Sequence, residues 1–357
     1  MSRHGPASVE FRSVTKRYGA VTAVDAVSFT IAPGTLVTLL GPSGCGKTTT
    51  LRLIAGLEIA SAGRIFIGEK DVTHQSASER DVSMVFQSYA LFPHMSVLEN
   101  VAYGPTVQGM RKKEAHALAL DKLKLVGLSG LEKRSPSELS GGQQQRVAVA
   151  RALVLEPQVL LFDEPLSNLD AKLRRRVRDD IRELQQNLNL TVAYVTHDQE
   201  EALAISDRII VMSNAHIAQT GTPRELYEQP GSVFVADFIG DANLVDAEVV
   251  AEHDLTAVLR LGDLELELPG RAAGLGRVKL AIRPDAITMH PARPREPAVQ
   301  ARVVRSSYLG RHVEYRLTSP FGELFVVDRS RRQPLPPASQ VWISLSTPDI
   351  AIVRDRP

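Results

Sequence analysis

The sequence has 357 residues, and its 42 lysines and arginines against 41 aspartates and glutamates give a net charge of +1. The length suggests about two domains, and the balanced charge provides no field that would draw the chain to nucleic acid or anionic lipid. The single cysteine, Cys45, excludes an internal disulfide and fits a reducing compartment. No apolar stretch approaches the roughly 20 residues of a membrane helix, and no signal peptide precedes the first predicted strand. We therefore expect a soluble, cytoplasmic protein that binds no nucleic acid and reaches a membrane only through a partner.

Residues 8–31 contain two strand-like runs, Val9–Val14 and Ala23–Ile31. Apolar and polar residues partly alternate in the second run, which predicts a partly exposed antiparallel pair. Tyr18 stands beside Gly19 between these runs, so it is expected to be a half-exposed aromatic residue in a turn.

Residues 35–48 predict a buried strand that leads into a glycine-rich loop. The apolar run Leu36–Leu40 ends at Gly41-Pro-Ser-Gly-Cys-Gly-Lys-Thr48, which fits the pattern G-x-x-x-x-G-K-[ST], and a helical pattern follows. Glycines in such a loop let backbone N–H groups surround phosphates, and the positive end of the next helix faces the same anion. Lys47 would reach the outer phosphates and Thr48 would ligate Mg²⁺. A nucleotide site is the hypothesis, and an ordinary glycine-rich turn is the weaker alternative.

Two further strands are predicted at Gly63–Ile67 and Val82–Phe86, and Gln87 directly follows the second. The region from about 88 to 155 then has helical patterns, which predicts an insertion between strands of one sheet.

Three helices are indicated within this insertion. Ser96-Val-Leu-Glu99 has the pattern of a capping box that starts a helix at Val97. Residues 112–126 follow with helical periodicity. Leu139-Ser-Gly-Gly-Gln143 then leads into a helix predicted at Arg146–Leu155, and taken alone this motif indicates a turn with an N-cap serine.

Val159-Leu-Leu-Phe162 is a continuous apolar run, typical of a central parallel strand buried on both faces. It ends in Asp163 and Glu164, and two acids there are costly unless a cation or a water-filled site receives them. Ligand crevices open at this edge of doubly wound sheets. The alternative, that these acids merely favour a helix N-terminus, is the weaker account.

The next helix is expected to begin after Asp170, which has the residue type of an N-cap. It carries a single apolar stripe at helical spacing, formed by Leu173, Val177, Ile181, Leu184 and Leu188. Thr191–Thr196 predicts another buried strand with His197 at its end, and Asp198 is the predicted cap of the helix that follows.

From about residue 241 the pattern changes to short alternating runs separated by glycine and proline. This pattern predicts a small all-β barrel or sandwich of roughly 110 residues. Its sequence contains no evident catalytic cluster.

Taken together in this order, these segments resemble the ATP-binding subunit of an ABC transporter over about residues 8–240. The segments are the phosphate loop, Gln87, Leu139-Ser-Gly-Gly-Gln143, Val159-Leu-Leu-Phe-Asp-Glu-Pro165, Ser167-Asn-Leu-Asp170 and His197. The remainder, through Ile282-Arg-Pro-Asp285 and Tyr308-Leu-Gly310, resembles the C-terminal barrel of importer ATPases in the maltose, polyamine and ferric-iron groups.

The resemblance implies an α/β fold. A P-loop NTPase domain of the ABC ATPase type would occupy residues 1–240, with an antiparallel β subdomain and a helical subdomain at about 88–155. Residues 241–357 would form a small all-β, OB-like barrel, a TOBE-like regulatory domain.

The resemblance also implies an ATP site with Mg²⁺. Tyr18 would stack on adenine, and Asp163 would hold the metal together with Thr48 and Gln87. The implied ATP-binding residues are Tyr18, Gly41, Pro42, Ser43, Gly44, Cys45, Gly46, Lys47, Thr48 and Thr49.

For catalysis, the resemblance implies that Glu164 polarises the attacking water as general base. His197 would contact the γ-phosphate, Gln87 would sense metal and water, and Lys47 would neutralise charge. No departure from the family pattern is found at these positions.

Half of each site would come from a second copy of the chain. The implied signature residues, which would contact the partner's ATP, are Ser140, Gly141, Gly142 and Gln143, and Asp170 would cross the interface. Hydrolysis should therefore require closure of a head-to-tail dimer with two-fold symmetry.

The implied function is the ATP-hydrolysing motor of an importer, peripheral at the cytoplasmic face of the inner membrane. Its partners would be a second copy of itself, two transmembrane permease subunits and an extracytoplasmic substrate-binding protein. Segments such as Met212-Ser-Asn-Ala215 and Thr220-Gly-Thr-Pro223 favour ferric iron as the substrate, with polyamine, 2-aminoethylphosphonate, sulfate or sugar as alternatives. A soluble ABC ATPase that acts on ribosomes or DNA is less favoured because the chain has one phosphate loop and no heptad run. An exporter is less favoured because exporters generally lack the C-terminal barrel.

Overall fold

A computed structural model describes residues 5–253, 256–269, 275–330 and 333–353. The chain folds as two compact units, Met1–Pro223 and Arg224–Pro357. The outer limits of the two predicted domains, residues 1–4 and 354–357, lie outside the described residues. The boundary at residue 240 remains a prediction, since the compact units divide before two short helices that precede it. Among the described residues, no helix is long and apolar enough to span a bilayer.

The described residues of the first unit form two sheets. In chain order the strands are β1 (Val9–Tyr18), β2 (Val21–Ile31), β3 (Leu36–Leu40), β4 (Ala62–Ile67), β5 (Lys70–Asp71), β6 (Val82–Val85), β7 (Val159–Asp163), β8 (Thr191–Thr196), β9 (Arg208–Ser213) and β10 (His216–Gly221). The order β2-β1-β4-β5 makes an antiparallel sheet, which confirms the predicted antiparallel subdomain. The order β10-β9-β3-β8-β7-β6 makes the second sheet, in which β10 is antiparallel and the other neighbours are parallel.

Helices pack on the second sheet and fill the predicted insertion. They are α1 (Lys47–Ala55), α2 (Val97–Val107), α3 (Lys112–Leu125), α4 (Gly141–Leu153), α5 (Ala171–Leu188) and α6 (Gln199–Ile205). The capping box at α2 is confirmed, because the Glu99 carboxylate accepts from the Ser96 backbone N–H at 2.9 Å and the Glu99 N–H donates to Ser96 Oγ at 3.3 Å.

Helix α4 begins five residues before the predicted start at Arg146. Glycines are poor helix formers, so the sequence pattern favours a start after them. A second capping box overrides this preference, because the Gln143 side chain accepts from the Ser140 backbone N–H at 3.0 Å. The signature residues therefore form the first turn of a helix.

The central strands are buried on both faces, as their continuous apolarity predicts. In β8, Val192 and Tyr194 belong to one apolar core with the helices of the insertion. Ala193 and Val195 belong to a second core with α1 and the antiparallel sheet. The parallel sheet is thus the middle layer of the first unit.

The apolar stripe of α5 lies on the first of these cores except at its end. Val177 and Ile181 are buried and Leu184 packs against them, whereas Leu188 is 39 % exposed. Gln185 is buried near the end of the helix instead, and its amide donates to Gly34 O at 2.8 Å. At the end of α5, a hydrogen bond from Gln185 to a backbone carbonyl therefore takes the place of the apolar contact predicted for Leu188.

Two short helices, the first of which begins at the boundary residue Pro223, lead into the strands of the second unit. The elements are α7 (Pro223–Glu228), α8 (Val233–Phe238), β11 (Asn243–His253), β12 (Thr256–Leu261), β13 (Leu264–Pro269), β14 (Gly276–Ile282), β15 (Ile287–His290), β16 (Val299–Tyr308), β17 (Val313–Ser319), β18 (Gly322–Asp328), β19 (Gln340–Leu345) and β20 (Ile350–Val353). They form two antiparallel sheets, β13-β12-β11-β14-β20 and β15-β19-β16-β17-β18, around one apolar core. The prediction of an all-β, OB-like domain is confirmed.

Asn243 joins the two sheets of this domain. Its amide nitrogen donates to Phe325 O at 2.8 Å and to Ile282 O at 3.2 Å, and its amide oxygen accepts from Phe325 N at 2.6 Å. Asn243 is 8 % exposed. One side chain therefore satisfies backbone groups of both β14 and β18.

Replacing Asn243 should destabilise the second unit. Asn243→Ala removes this side-chain partner from three backbone groups, so we expect the free energy of unfolding to fall by about 1–3 kcal/mol. Trp342, the single tryptophan of the sequence, lies in β19, and its fluorescence in a denaturant titration reports this unit. Gln300→Ala, an exposed amide on β16, should change the value by less than about 0.5 kcal/mol. Equal effects of the two substitutions would contradict the role of Asn243.

Candidate active site

The strand order places residues from distant parts of the chain at one edge of the parallel sheet. β3, β8, β7 and β6 are neighbours, so their carboxyl ends lie together. The phosphate loop follows β3, His197 follows β8, Asp163 ends β7 with Glu164 after it, and Gln87 lies just beyond β6. In open α/β sheets this edge is where ligands bind.

The phosphate loop has a backbone that requires glycine immediately before α1. Gly46 has φ +106°, and a Cβ there would lie 2.4 Å from Ala23 O. Gly46 is also the N-cap residue and has no side chain to accept from the first N–H groups of α1. These groups and the positive end of the helix therefore favour an anion at the loop.

Lys47 is held within the loop itself. Its side chain is buried, and Nζ donates to Gly41 O at 2.8 Å and to Pro42 O at 2.9 Å. The Cys45 sulfur lies 3.9 Å from the same nitrogen. The ammonium is thus positioned by the carbonyl oxygens of the loop that would surround the phosphates.

Thr48 and Asp163 face each other across the loop. Thr48 Oγ1 donates to Asp163 Oδ1 at 3.5 Å. Burial raises the pKa of Asp163, and the positive charges of Arg52 and Lys47 oppose this rise. A hydroxyl and a carboxylate are oxygen ligands of the kind that Mg²⁺ prefers, usually with few protein ligands and substrate phosphates.

Glu164 and His197 form the central polar pair of the site. His197 Nδ1 lies 3.0 Å from Glu164 Oε2, and the two side chains are 60 % and 22 % exposed, so the pair is open to a ligand. The Glu164 backbone N–H donates to Val195 O at 3.0 Å, which ties the start of this loop to β8. Glu164 has φ +45°, a conformation that is uncommon for a residue other than glycine.

Gln87 contacts the segment that follows Glu164. Its amide donates to Ser167 Oγ at 3.1 Å, and Ser167 Oγ donates to Glu164 O at the same distance. Asn168 also donates to Gln87 O at 3.1 Å. The sequence includes Ser167 only as part of a family motif, yet it links two of the predicted site residues.

A buried carboxyl group that the sequence does not reveal lies behind His197. Glu201 accepts from the Tyr194 hydroxyl on one oxygen and from Thr196 Oγ1 at 2.9 Å on the other. Burial raises the pKa of Glu201. An acid three residues after Asp198 is typical of a helix first turn, and Asp198 does cap the Glu201 N–H at 3.0 Å. Because this pattern is common at exposed helix starts, the sequence does not indicate that the Glu201 side chain is buried.

The signature residues lie with the helical core rather than beside the phosphate loop of the same chain. Ser140 Oγ accepts from Gln143 N at 3.4 Å as the N-cap of α4. Gly142 lies against Leu173 of α5, where a Cβ would come within 2.8 Å of Leu173 Cδ1. Asp170 caps α5 through the Leu173 N–H at 3.0 Å, as predicted.

Tyr18 is the last residue of β1 rather than a turn residue, and the turn begins at Gly19. Its ring is 44 % exposed, and Lys16 Nζ lies 4.8 Å from the ring centre. Burial and then a hydrogen bond to Glu58 raise the pKa of its hydroxyl. Tyr18 is therefore a partly exposed aromatic residue beside a cation.

A phosphate loop between β3 and α1, with acids at the end of a nearby parallel strand, defines a P-loop nucleoside triphosphatase. Comparison with known proteins narrows this class. A family model described as ABC transporter matches residues 24–167, and a TOBE domain model matches residues 280–353.

Two relatives and one solved structure are similar over long stretches. The Fe(3+) ions import ATP-binding protein FbpC of Rhizobium etli is 59 % identical over 348 residues, which cover 98 % of this chain and 98 % of that protein. The protein of the same name from Brucella abortus has the same identity and coverage. The dimeric structure of MJ0796, a bacterial ABC transporter cassette, has a TM-score of 0.55 and 31 % identity, and the match covers 60 % of this chain and 99 % of that chain. The chain therefore belongs to the ABC transporter family of ATP-binding proteins, and it is an ATPase that couples hydrolysis to transport.

Substitution of Gly46 tests the geometry of the loop. In Gly46→Ala the new Cβ meets a backbone oxygen and the loop must shift, so ATP affinity should fall at least about tenfold. Titration with a fluorescent ATP analogue measures this. Gly109→Ala is the matched control, because Gly109 also has a positive φ, +88°, and a Cβ there would have no atom within 4 Å. Equal affinities of the two variants would contradict the steric argument.

Proposed function

We propose that this chain is the ATP-hydrolysing motor subunit of a binding-protein-dependent importer of ferric iron. The observation that carries the proposal is the convergence of three features at one sheet edge. They are the Lys47 ammonium, the Thr48–Asp163 pair and the Glu164–His197 pair. The 59 % identity to proteins named for Fe(3+) import supports the substrate.

ATP would bind across the phosphate loop with its adenine on Tyr18. The exposed ring of Tyr18 offers a stacking face, and the residues from Gly41 to Thr49 would surround the phosphates. Lys47 would exchange its bonds to the carbonyl oxygens of Gly41 and Pro42 for bonds to phosphate oxygens. This exchange keeps the ammonium hydrogen-bonded in both states.

Mg²⁺ would be held by Thr48 and Asp163, with Gln87 close to the same edge. The donor set fits a hard cation, and a cation would offset the burial that raises the pKa of Asp163. When bound, the ion would neutralise negative charge on the phosphates.

Glu164 would act as the general base. Its carboxylate would accept a proton from the attacking water while His197, 3.0 Å away, orients that carboxylate and contacts the γ-phosphate. Phosphoryl transfer depends mainly on such positioning and on charge stabilisation. Gln87 would adjust the site through Ser167, which bonds the carbonyl of Glu164.

A second copy of the chain would complete each site. Ser140, Gly141, Gly142 and Gln143 form the N-terminal turn of α4, whose N–H groups suit an anion. In the head-to-tail dimer they would contact the partner's γ-phosphate, and Asp170 would cross the interface. The similar cassette MJ0796 is described as dimeric.

The dimer would act on two permease subunits that receive iron from an extracytoplasmic binding protein. It would lie peripherally at the cytoplasmic face of the inner membrane. The resemblance to ABC importer ATPases implies that Gln87 and the segment Tyr89–Phe92 would contact the permeases. Arg151 holds the segment through the carbonyls of Tyr89 and Ala90, both at 2.8 Å.

Glu164→Gln tests the proposed base. Loss of a general base typically costs about 10²–10⁴-fold in rate, so turnover should fall at least about 100-fold. ATP binding should persist, and an ATP-bound dimer should accumulate in size-exclusion chromatography. Lys47→Ala, by contrast, should lose ATP affinity in an equilibrium titration. Unchanged turnover of Glu164→Gln would exclude this residue as the base.

The substrate is tested with the reconstituted complex. Co-expression with candidate permease and binding-protein genes from the same genome should yield a complex with two membrane-spanning subunits. In proteoliposomes, binding protein loaded with Fe³⁺ should stimulate ATP hydrolysis and ⁵⁵Fe uptake. If binding protein loaded with polyamine, 2-aminoethylphosphonate, sulfate or sugar stimulates ATP hydrolysis and Fe³⁺ does not, that compound is the substrate instead of iron. Failure of this chain to co-purify with any membrane subunit would contradict the importer function.

A further inference from the structure

Arg174 connects the start of α5 to the loop that carries His197. Its Nη1 donates to Asp198 Oδ2 at 3.2 Å, and its Nη2 donates to Leu169 O at 3.1 Å. Leu169 immediately precedes Asp170, the cap of α5 and the proposed interface residue. One guanidinium therefore bonds both the interface segment and the residue next to His197.

Asp198 and Thr196 hold the backbone on both sides of His197. The Asp198 N–H donates to Thr196 Oγ1 at 3.0 Å, and Asp198 Oδ1 caps α6 through the Glu201 N–H. Thr196 in turn donates to the buried Glu201 carboxylate. The position of His197 thus follows from the positions of its two neighbours, and one of these is bonded to Arg174.

The two loops also enclose a small cavity of about 40 Å³ beside the Glu164–His197 pair. Arg174, Asp198 and Glu201 line it together with Glu164 and His197. Within the described part of the chain, Arg174 Nε is buried and has no hydrogen-bond partner. Arg174, Asp198 and Glu201 therefore lie next to one another beside the Glu164–His197 pair.

We propose that Arg174 is a positioning residue, which couples the interface segment at Leu169–Asp170 to His197 through Asp198. A displacement of that segment on dimer closure would move the guanidinium, and with it the loop that presents His197 to Glu164. The planar fork of arginine suits this role, since it bonds a carboxylate and a carbonyl at once. The inference rests on the proposed roles of Glu164, His197 and Asp170.

Kinetics of Arg174→Ala test this coupling. Misplacement of a catalytic group by about 1 Å can cost on the order of 100-fold in rate, so kcat should fall at least about tenfold. The KM for ATP should stay within about twofold, because no phosphate-loop contact is changed. Arg174→Lys should give an intermediate kcat, since an ammonium lacks the fork geometry.

Asp198→Asn provides an independent second variant that keeps an oxygen to cap α6. It should lower kcat in the same way. Because both substitutions break the same interaction, kcat of the double variant Arg174→Ala/Asp198→Asn should lie within about twofold of that of the slower single variant. Arg176→Ala is the matched control, since Arg176 is exposed and lies about 200° around the helix from Arg174. It should retain the parent kcat.

A merely structural role gives a different result. Because Arg174 and Asp198 are partly exposed, thermal unfolding of Arg174→Ala should shift by no more than about 3 °C. In the Glu164→Gln background the ATP-bound dimer should still form. An unchanged kcat, or parallel losses of kcat, ATP affinity and thermal stability, would overturn the inference. If Glu164→Gln keeps full turnover, the proposed function fails. If Glu164→Gln loses turnover while Arg174→Ala keeps the parent kcat, only the proposed coupling is refuted.

Discussion

The parallel pairing of β3, β8 and β7 is the constraint on which the site depends. Leu40 pairs with Thr196, and Asp163 pairs with Val195, so the three loops begin at the same level of the sheet. Side chains alternate between the faces of a strand, so a slip of one residue would exchange the residues of the two cores. The packing of both cores therefore also determines the distances between the catalytic candidates.

The sequence predicts most of the first unit because its elements are marked by local chemistry. Continuous apolarity identifies the central strands, and the capping box at Ser96 identifies the start of α2. Predictions fail where two local preferences of the chain oppose each other with similar strength. Glycine disfavours the first turn of α4, but the Ser140 cap and the Gln143 amide decide the start of that helix. At the end of α5 a buried amide takes the place expected for Leu188.

The residues that form the site are predicted better than the residues that support them. Lys47, Asp163 and His197 stand at strand or helix ends, where the sequence predicts ligand-binding loops. The order of the strands comes from the structure alone. The bond between Arg174 and Asp198 spans two loops, and its existence depends on how both loops fold. Glu201 has the sequence context of a surface first-turn acid, and only the tertiary structure shows that it is buried.

The left-handed backbone of Glu164 has a consequence for how this protein can change. A residue other than glycine in that conformation typically costs on the order of 1 kcal/mol or more, and bonds to Val195 and Ser167 hold it there. Glycine or asparagine would relieve the strain, but neither carries a carboxylate. Selection for stability alone would therefore replace Glu164. Under the proposed mechanism, a version of this chain relieved of this strain would be more stable but would lack its general base.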